Sequence, residues 1–112
     1  MEMAKIANDQ GYLCLAAFVA PKASVREKAA ELIGEDRFIV VHCAASLESC
    51  QSSDPSGLYA EAKAGNLDNI PGISFEYEEP ENPALRIDTD ATSTDEAVAQ
   101  IIAILKDRGL LL

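Results

Sequence analysis

The sequence predicts an α/β domain built on a parallel sheet, and three observations carry that prediction. Tyr12 to Ala20 is a continuous apolar run of strand length, and Arg37 to Cys43 is a second, rich in the β-branched pair Val40 and Val41. Neither alternates apolar with polar residues, which suits strands covered on both faces. Segments with helical periodicity and helix start and stop residues separate these runs from a short third one, Ala84 to Asp88. Strand, helix, strand, helices, strand, helix in that order implies right-handed crossovers.

Each element has a local reason. Met3, Ile6 and Ala7 share one face of an opening helix, which Gly11 ends. Pro21 breaks the first strand. Ser24 with Glu27 three residues on forms a capping box for a helix whose apolar face is Val25, Ala29, Leu32 and Ile33, stopped by Gly34. After the second strand, Ser46 to Ser53 reads as a short helix. Asp54-Pro55 reads as N-cap and first position of another helix over Ser56 to Ala64, closed by Gly65. Residues 66–83 carry Pro71, Gly72, Pro80 and Pro83 and read as loop. Ser93 with Glu96 opens a last helix with the face Val98, Ile101, Ile102 and Leu105, ended by Gly109 before three leucines. Three strands make a thin sheet, and the chain opens on a helix where such folds begin with a strand. The expectation is therefore part of a larger α/β domain, or one that completes itself by association across an unpaired edge.

With 112 residues the chain holds one domain. An apolar fraction of 48% excludes intrinsic disorder. Nine Lys and Arg against 19 Asp and Glu leave a net charge of −10, which repels nucleic acid and anionic lipid. The longest apolar run is too short to span a membrane, and no basic segment followed by an apolar stretch opens the chain as a secretion signal. Cys14, Cys43 and Cys50 show no zinc-ligand spacing. They read as small core residues of a protein of the reducing cytoplasm.

Chemistry-bearing motifs are sparse. There is no G-x-x-x-x-G-K-[ST] phosphate loop, no G-x-G-x-x-G turn and no nucleophile elbow. His42, the single histidine, lies within a strand and reads as a packed or edge-facing residue. The acidic loop Glu76-Tyr77-Glu78-Glu79-Pro80-Glu81 lacks the glycine and ligand spacing of a calcium loop and reads as a solvated face. Asp88 and Asp90 end the third strand, where open α/β sheets place ligands, and could equally serve as turn or cap residues.

Longer motifs point to a family. Asp54-Pro55-Ser56-Gly57-Leu58-Tyr59, Ala62-Lys63-Ala64-Gly65, Gly72-Ile73, Tyr77-Glu78 and Pro80-Glu81-Asn82-Pro83 resemble the DPKGLY, ARAG, FTGID, YE and PENP segments of adenylylsulfate (APS) kinases, at matching intervals. Asp88-Thr89-Asp90 is similar to the family's DTD, Phe18-Val19-Ala20-Pro21 to its FISP, and Leu47-Glu48-Ser49-Cys50 to its LEVC. The resemblance runs from about residue 4 to the C-terminus.

That resemblance implies a three-layer, P-loop kinase-like fold of which residues 1–112 are the C-terminal part, with residues 54–83 forming the lid and substrate-loop region. It also implies transfer of the γ-phosphate of ATP to the 3′-hydroxyl of APS with magnesium, giving PAPS. By the same resemblance, Val19, Ala20, Ser56, Gly57, Asn69 and Ile70 occupy substrate-contact positions, Lys63 is the surviving phosphate contact, and Thr92 lies where the adenine of ATP rests. Each has a plain alternative: Val19 as core, Gly57 as a turn residue, Lys63 as a solvated cation, Thr92 as a neighbour of a helix cap. The implied partners are nucleotides (APS, PAPS, ATP and ADP) and either a second copy or the remaining N-terminal half. The chain also departs from the pattern. The serine of FISP is Ala20, the aromatic-Arg pair after it is Lys22-Ala23, the Arg and Lys of the DPKG segment are Ser53 and Ser56, and the lysines after GLY are Ala60 and Glu61. FTGID is Ile70-Pro71-Gly72-Ile73-Ser74, and the aspartate ending the second strand's run is Ala44. Between Phe38 and Leu85 the only cation is Lys63, against eight acids. Two expectations follow: a kinase domain inactive as this chain alone, or a non-catalytic kinase-like regulatory or assembly module, as in a fusion to an ATP sulfurylase.

Overall fold

Residues 1–111 are described by a computed structural model with the order α1(Glu2–Asp9) α2(Ala23–Ile33) β1(Val41–Ala44) α3(Leu47–Ser52) α4(Leu58–Lys63) β2(Leu85–Asp88) α5(Thr94–Asp107). The two strands pair in parallel, with Val41 opposite Leu85 and Ala44 opposite Asp88. The α/β class and the parallel pairing therefore follow the sequence reading. The last residue of the terminal leucine run, Leu112, lies outside the described residues, and Leu110 and Leu111 are exposed.

Helix boundaries follow local signals where the partners are local. Gly11 and Gly109, at φ 92° and 72°, close α1 and α5 in the same way. The amide two residues past the cap reaches back to the third-last carbonyl, Tyr12 to Ala7 and Leu110 to Leu105. Ser93 and Glu96 form the expected capping box of α5, each side chain accepting from the other's amide at 3.2 and 3.0 Å. Ser46 caps α3 by accepting from Ser49 N at 3.0 Å.

Where the partner is distant, the sequence reading needs correction. Ser24 and Glu27 form no capping box. The helix begins one residue earlier, and its first amide, Ala23 N, donates to Glu78 Oε2 at 2.8 Å. A carboxylate brought in from the acidic loop does the work expected of a local hydroxyl and also meets the positive end of the helix dipole. Helix α4 begins at Leu58, not Ser56, because Gly57 sits left-handed at φ 72° as its N-cap. Asp54 still serves that terminus from below, its Oδ2 accepting from Tyr59 N and Ala60 N at 3.1 and 3.2 Å.

The expected first strand does not form. Residues 13–20 join no ladder, and Leu15 is 85% exposed and Phe18 71%. Of three expected strands two are present, because a strand needs a neighbour and this run has none among the described residues. The same gap corrects the cysteine reading. Cys14 lies exposed in the unpaired run, Cys43 is exposed on β1, and Cys50 is half-buried. The well-buried apolar residues are Ala29, Ile33, Ala44, Ala62, Ile87 and Leu105. A folded chain of 12.0 kDa ordinarily exposes about 6,000 Å². This one exposes 8127 Å², an excess of about 2,100 Å² over that norm. Its radius of gyration, 15.8 Å, likewise exceeds the ~13 Å of a compact domain of this length.

Candidate functional site

The C-terminal ends of the two strands are tied together. Thr89 donates twice to the carbonyl of Ala44, from its amide at 2.8 Å and its hydroxyl at 3.1 Å. Asp90 then reaches across to α3, Oδ2 accepting from Ser46 N at 3.1 Å, while Asp88 Oδ1 accepts from Asp90 N at 3.0 Å. Hydrogen bonds from the Ser49 hydroxyl and the Ser46 amide hold the Asp90 carboxyl below its ordinary value. Of the two readings left open for these aspartates, the turn and cap role is the one their hydrogen bonds display. In parallel α/β sheets this strand-end edge is where ligands bind, so the cross-link sets the floor of the candidate site.

Helix α3 is the junction above that floor. Lys63, near the end of α4, donates to Gln51 Oε1 at 2.9 Å. That amide is neutral, and among the described residues Lys63 enters no ion pair, so its charge stays uncompensated. Tyr59 of α4 lies against Cys50 of α3; burial first, then Cys50, pushes the phenol above its usual value. The loop of residues 70–74 docks on the same helix at Gly72, where an added Cβ would meet Leu47 Cδ1 at 3.0 Å. Ser74 closes that loop by donating its amide to the Ile70 carbonyl at 2.8 Å and accepting from Ile70 N at 3.2 Å. Ser56 and Asn69 are exposed, and Gly57, Ile70 and Thr92 are half-buried.

Val19 is 60% exposed and not core, and Ala20 belongs to a second cluster. Ala20 has φ 38°, a left-handed conformation that a non-glycine residue adopts at a cost. Its carbonyl accepts from Arg26 Nη1 at 2.6 Å. The other guanidinium nitrogen of Arg26 donates to the carbonyl of Glu78, and the Glu78 amide donates to Pro21 O at 2.8 Å. Arg26 lies 5.8 Å from the centre of the Tyr77 ring, which stacks on His42 at 6.0 Å and 23° between planes. Tyr77-Glu78 thus pins the acidic loop to α2 and β1. His42 is 7% exposed and takes the packed role the sequence reading favoured.

No hydrogen bond among the described residues joins Val19 and Ala20 to Ser56, Gly57, Lys63, Asn69, Ile70 or Thr92. Neither of two clefts found among the described residues is lined by any of these eight. One, of about 450 Å³, is lined by Arg26, Glu78, Glu79 and Glu81 among others; the second, of about 470 Å³, is apolar and lies between Met1–Ala4 and Leu15–Phe18. The residues of this chain do not by themselves fit a magnesium triphosphate. Lys63 is the lone cation between Phe38 and Leu85, the first cleft is walled by carboxylates, and among the described residues no three metal-ligating side chains converge. Two features were invisible in the sequence, the Asp90 bridge to Ser46 and the Arg26–Tyr77–His42 stack. The only signals for them were the DTD and YE segments themselves, whose geometry no periodicity reports.

Comparison with known proteins gives this geometry a relation. Residues 1–88 match the family model of adenylylsulphate kinase. An adenylyl-sulfate kinase of Prochlorococcus marinus is 46% identical over 98% of this chain and 55% of its own length. A bifunctional enzyme CysN/CysC of Rhodopirellula baltica is 44% identical over 97% of the chain, which covers 17% of that protein. The solved structure of the Mycobacterium tuberculosis APS kinase CysC in complex with AMPPNP and APS superposes with a TM-score of 0.86 at 35% identity, covering 94% of this chain and 61% of that one. The chain spans about half the length of most of the relatives it matches. It belongs to the adenylylsulphate kinase family.

Proposed function

We propose that this chain supplies the lid, substrate loop and strand-end floor of an APS kinase domain, and that transfer of the γ-phosphate of ATP to APS requires phosphate-binding groups from outside it. The observation that carries this is the strand-end floor: Ala44–Thr89 and Ser46–Asp90 fix the edge against which α3, α4 and the substrate loop assemble. The family relation and the likeness to a kinase complexed with AMPPNP and APS support it. In this reading Val19, Ala20, Ser56, Gly57, Asn69 and Ile70 face APS, Lys63 meets a phosphate, Thr92 neighbours the adenine of ATP, and magnesium is held by groups beyond this chain. The setting is cytoplasmic, in keeping with three unpaired cysteines and the absence, among the described residues, of any helix long and apolar enough to cross a membrane.

The experiment is an assay of PAPS formation by the purified chain, alone and mixed with the portion of the Prochlorococcus kinase that it does not match. The expected result is no turnover alone and turnover in the mixture. A second reading, a non-catalytic nucleotide-sensing or assembly module, draws on the single cation among eight acids from Phe38 to Leu85. Cationic stabilisation of phosphoryl transfer can be worth roughly 10³–10⁵ in rate, so its depletion weighs on turnover more than on folding. The occurrence of a similar segment within a larger bifunctional relative is in keeping with that reading. APS binding by the mixture without PAPS formation would favour it.

A further inference from the structure

Among the described residues Ala20 is the single non-glycine position with a positive φ, 38°. Left-handed backbone costs a residue with a Cβ roughly a factor of 5–30 in population. Pro21 adds to that cost, since the residue before a proline is steered toward extended backbone. Such a conformation persists only where its neighbours over-determine it, and it gathers at working sites. One side chain does the holding here. The half-buried Arg26 directs its guanidinium at two backbone carbonyls from separate segments, Ala20 through Nη1 at 2.6 Å and Glu78 through Nη2. Among the described residues it makes no ion pair, although Glu27, Glu78, Glu79 and Glu81 line the cleft beside it. A planar fork suits this double contact, which a compact ammonium cannot reproduce with the same geometry. Two further bonds close the ring: Glu78 N donates to Pro21 O, and Ala23 N to Glu78 Oε2, both at 2.8 Å. Tyr77 carries the assembly to β1, its ring between Arg26 and His42.

We propose that Arg26 is a positioning residue for the APS side of the site. It holds Ala20 in its bent conformation and latches residues 20–21 to residues 77–78, so that both segments present one fixed edge to the substrate. This rests on the reading above, in which Val19 and Ala20 face APS, whereas the latch itself needs only the bonds just named.

Hydrogen exchange on the chain alone tests the latch. Arg26→Ala should speed exchange of the Ala23 and Glu78 amides about 10-fold or more, the worth of a charge-assisted hydrogen bond. The Thr89 and Leu110 amides, bonded to Ala44 and Leu105, should keep their rates and report that the rest of the fold is intact. Arg26→Lys keeps the stem and the charge but not the fork, and should still speed the same two amides about 3-fold; it decides the matter if the alanine variant does not fold. Steady-state kinetics of the chain mixed with the portion of the Prochlorococcus kinase that it does not match tests the consequence. Arg26→Ala should raise KM for APS about 10-fold and leave KM for ATP within about twofold, a split that general loosening of the fold would not give. Adding Ala20→Gly should recover about half of that loss or more, because glycine takes a positive φ without the latch. The proposal is overturned if the two amides keep their exchange rates, if KM for ATP rises as far as KM for APS, or if Ala20→Gly recovers nothing. An unmodified mixture that makes no PAPS overturns the kinase reading and the APS role of Arg26 with it, while the exchange rates still decide the latch.

Discussion

Glu78 caps a helix that begins fifty-five residues before it: its Oε2 accepts from Ala23 N at 2.8 Å, and its own amide donates to Pro21 O at 2.8 Å. An acidic side chain in a loop that reads as solvent-facing is thereby the N-terminal cap of α2. Glu78→Ala should lower stability by about 1 kcal/mol, the usual cost of losing a cap. Glu78→Gln keeps an oxygen acceptor and gives up only the charge–dipole part, so it should cost less than half as much. Urea midpoints of the two variants check this, and equal losses would refute the assignment of the cap to that oxygen.

Tyr77 makes the second anchor of the same loop through its ring. Replacing it with Phe keeps the face presented to His42 and Arg26, whereas Leu removes the aromatic contact. Tyr77→Phe should be nearly neutral, and Tyr77→Leu should cost roughly 0.5–1.5 kcal/mol beyond any change in buried area. Thermal unfolding of both variants measures the difference.

Ala20 and Gly72 should respond in opposite senses to exchange between alanine and glycine. Ala20 holds φ 38°, so Ala20→Gly relieves strain and should stabilise by up to about 1 kcal/mol after the added chain entropy, while Ala20→Val destabilises. Gly72 holds φ 83° and packs against Leu47, so Gly72→Ala should cost about 1–2 kcal/mol and loosen the loop of residues 70–74 from α3. Denaturant titrations of the three variants give the order directly.

Asp90 and Asp9 both have folded pKa values below the ordinary 3.8. For Asp90 the causes are the Ser49 and Ser46 hydrogen bonds, and for Asp9 the Lys5 and Arg37 partners. A depressed carboxyl stabilises the fold above its unfolded value and loses that contribution as pH falls through 3.8 toward the lower folded value. Stability should therefore drop on acidification below about pH 4, and Asp90→Asn should flatten part of that drop. Urea unfolding from pH 6 to pH 3 tests it: an unchanged slope in Asp90→Asn would mean the bridge to Ser46 is not formed in solution.

Lys63 is the only lysine or arginine between Phe38 and Leu85. In the complemented assembly, Lys63→Ala should weaken APS binding about 10- to 100-fold, the worth of a charge-assisted hydrogen bond, and Lys63→Arg should retain most of the affinity. Calorimetric titration with APS checks it, with the stability of Lys63→Ala as control for the lost bond to Gln51.

Much of this molecule was legible along the chain. The capping box Ser93–Glu96, the Ser46 cap and the glycine stops all follow from residue types a few positions apart, because the groups that satisfy one another there are local. The family motifs likewise reported the relation without reporting geometry. Tertiary structure decided the rest. Tyr12 to Ala20 has every local property of a strand and forms none, because a strand is completed by a neighbour's backbone and no residue type within the run can supply one. Ser24 and Glu27 have the spacing of a capping box and lose to Glu78, because its backbone is held by Arg26 and Pro21 and brings its carboxylate to the helix end. Local chemistry determined which elements were possible; contacts spanning 44 to 55 residues, Ser46 to Asp90 and Ala23 to Glu78, decided where they begin and what they hold together.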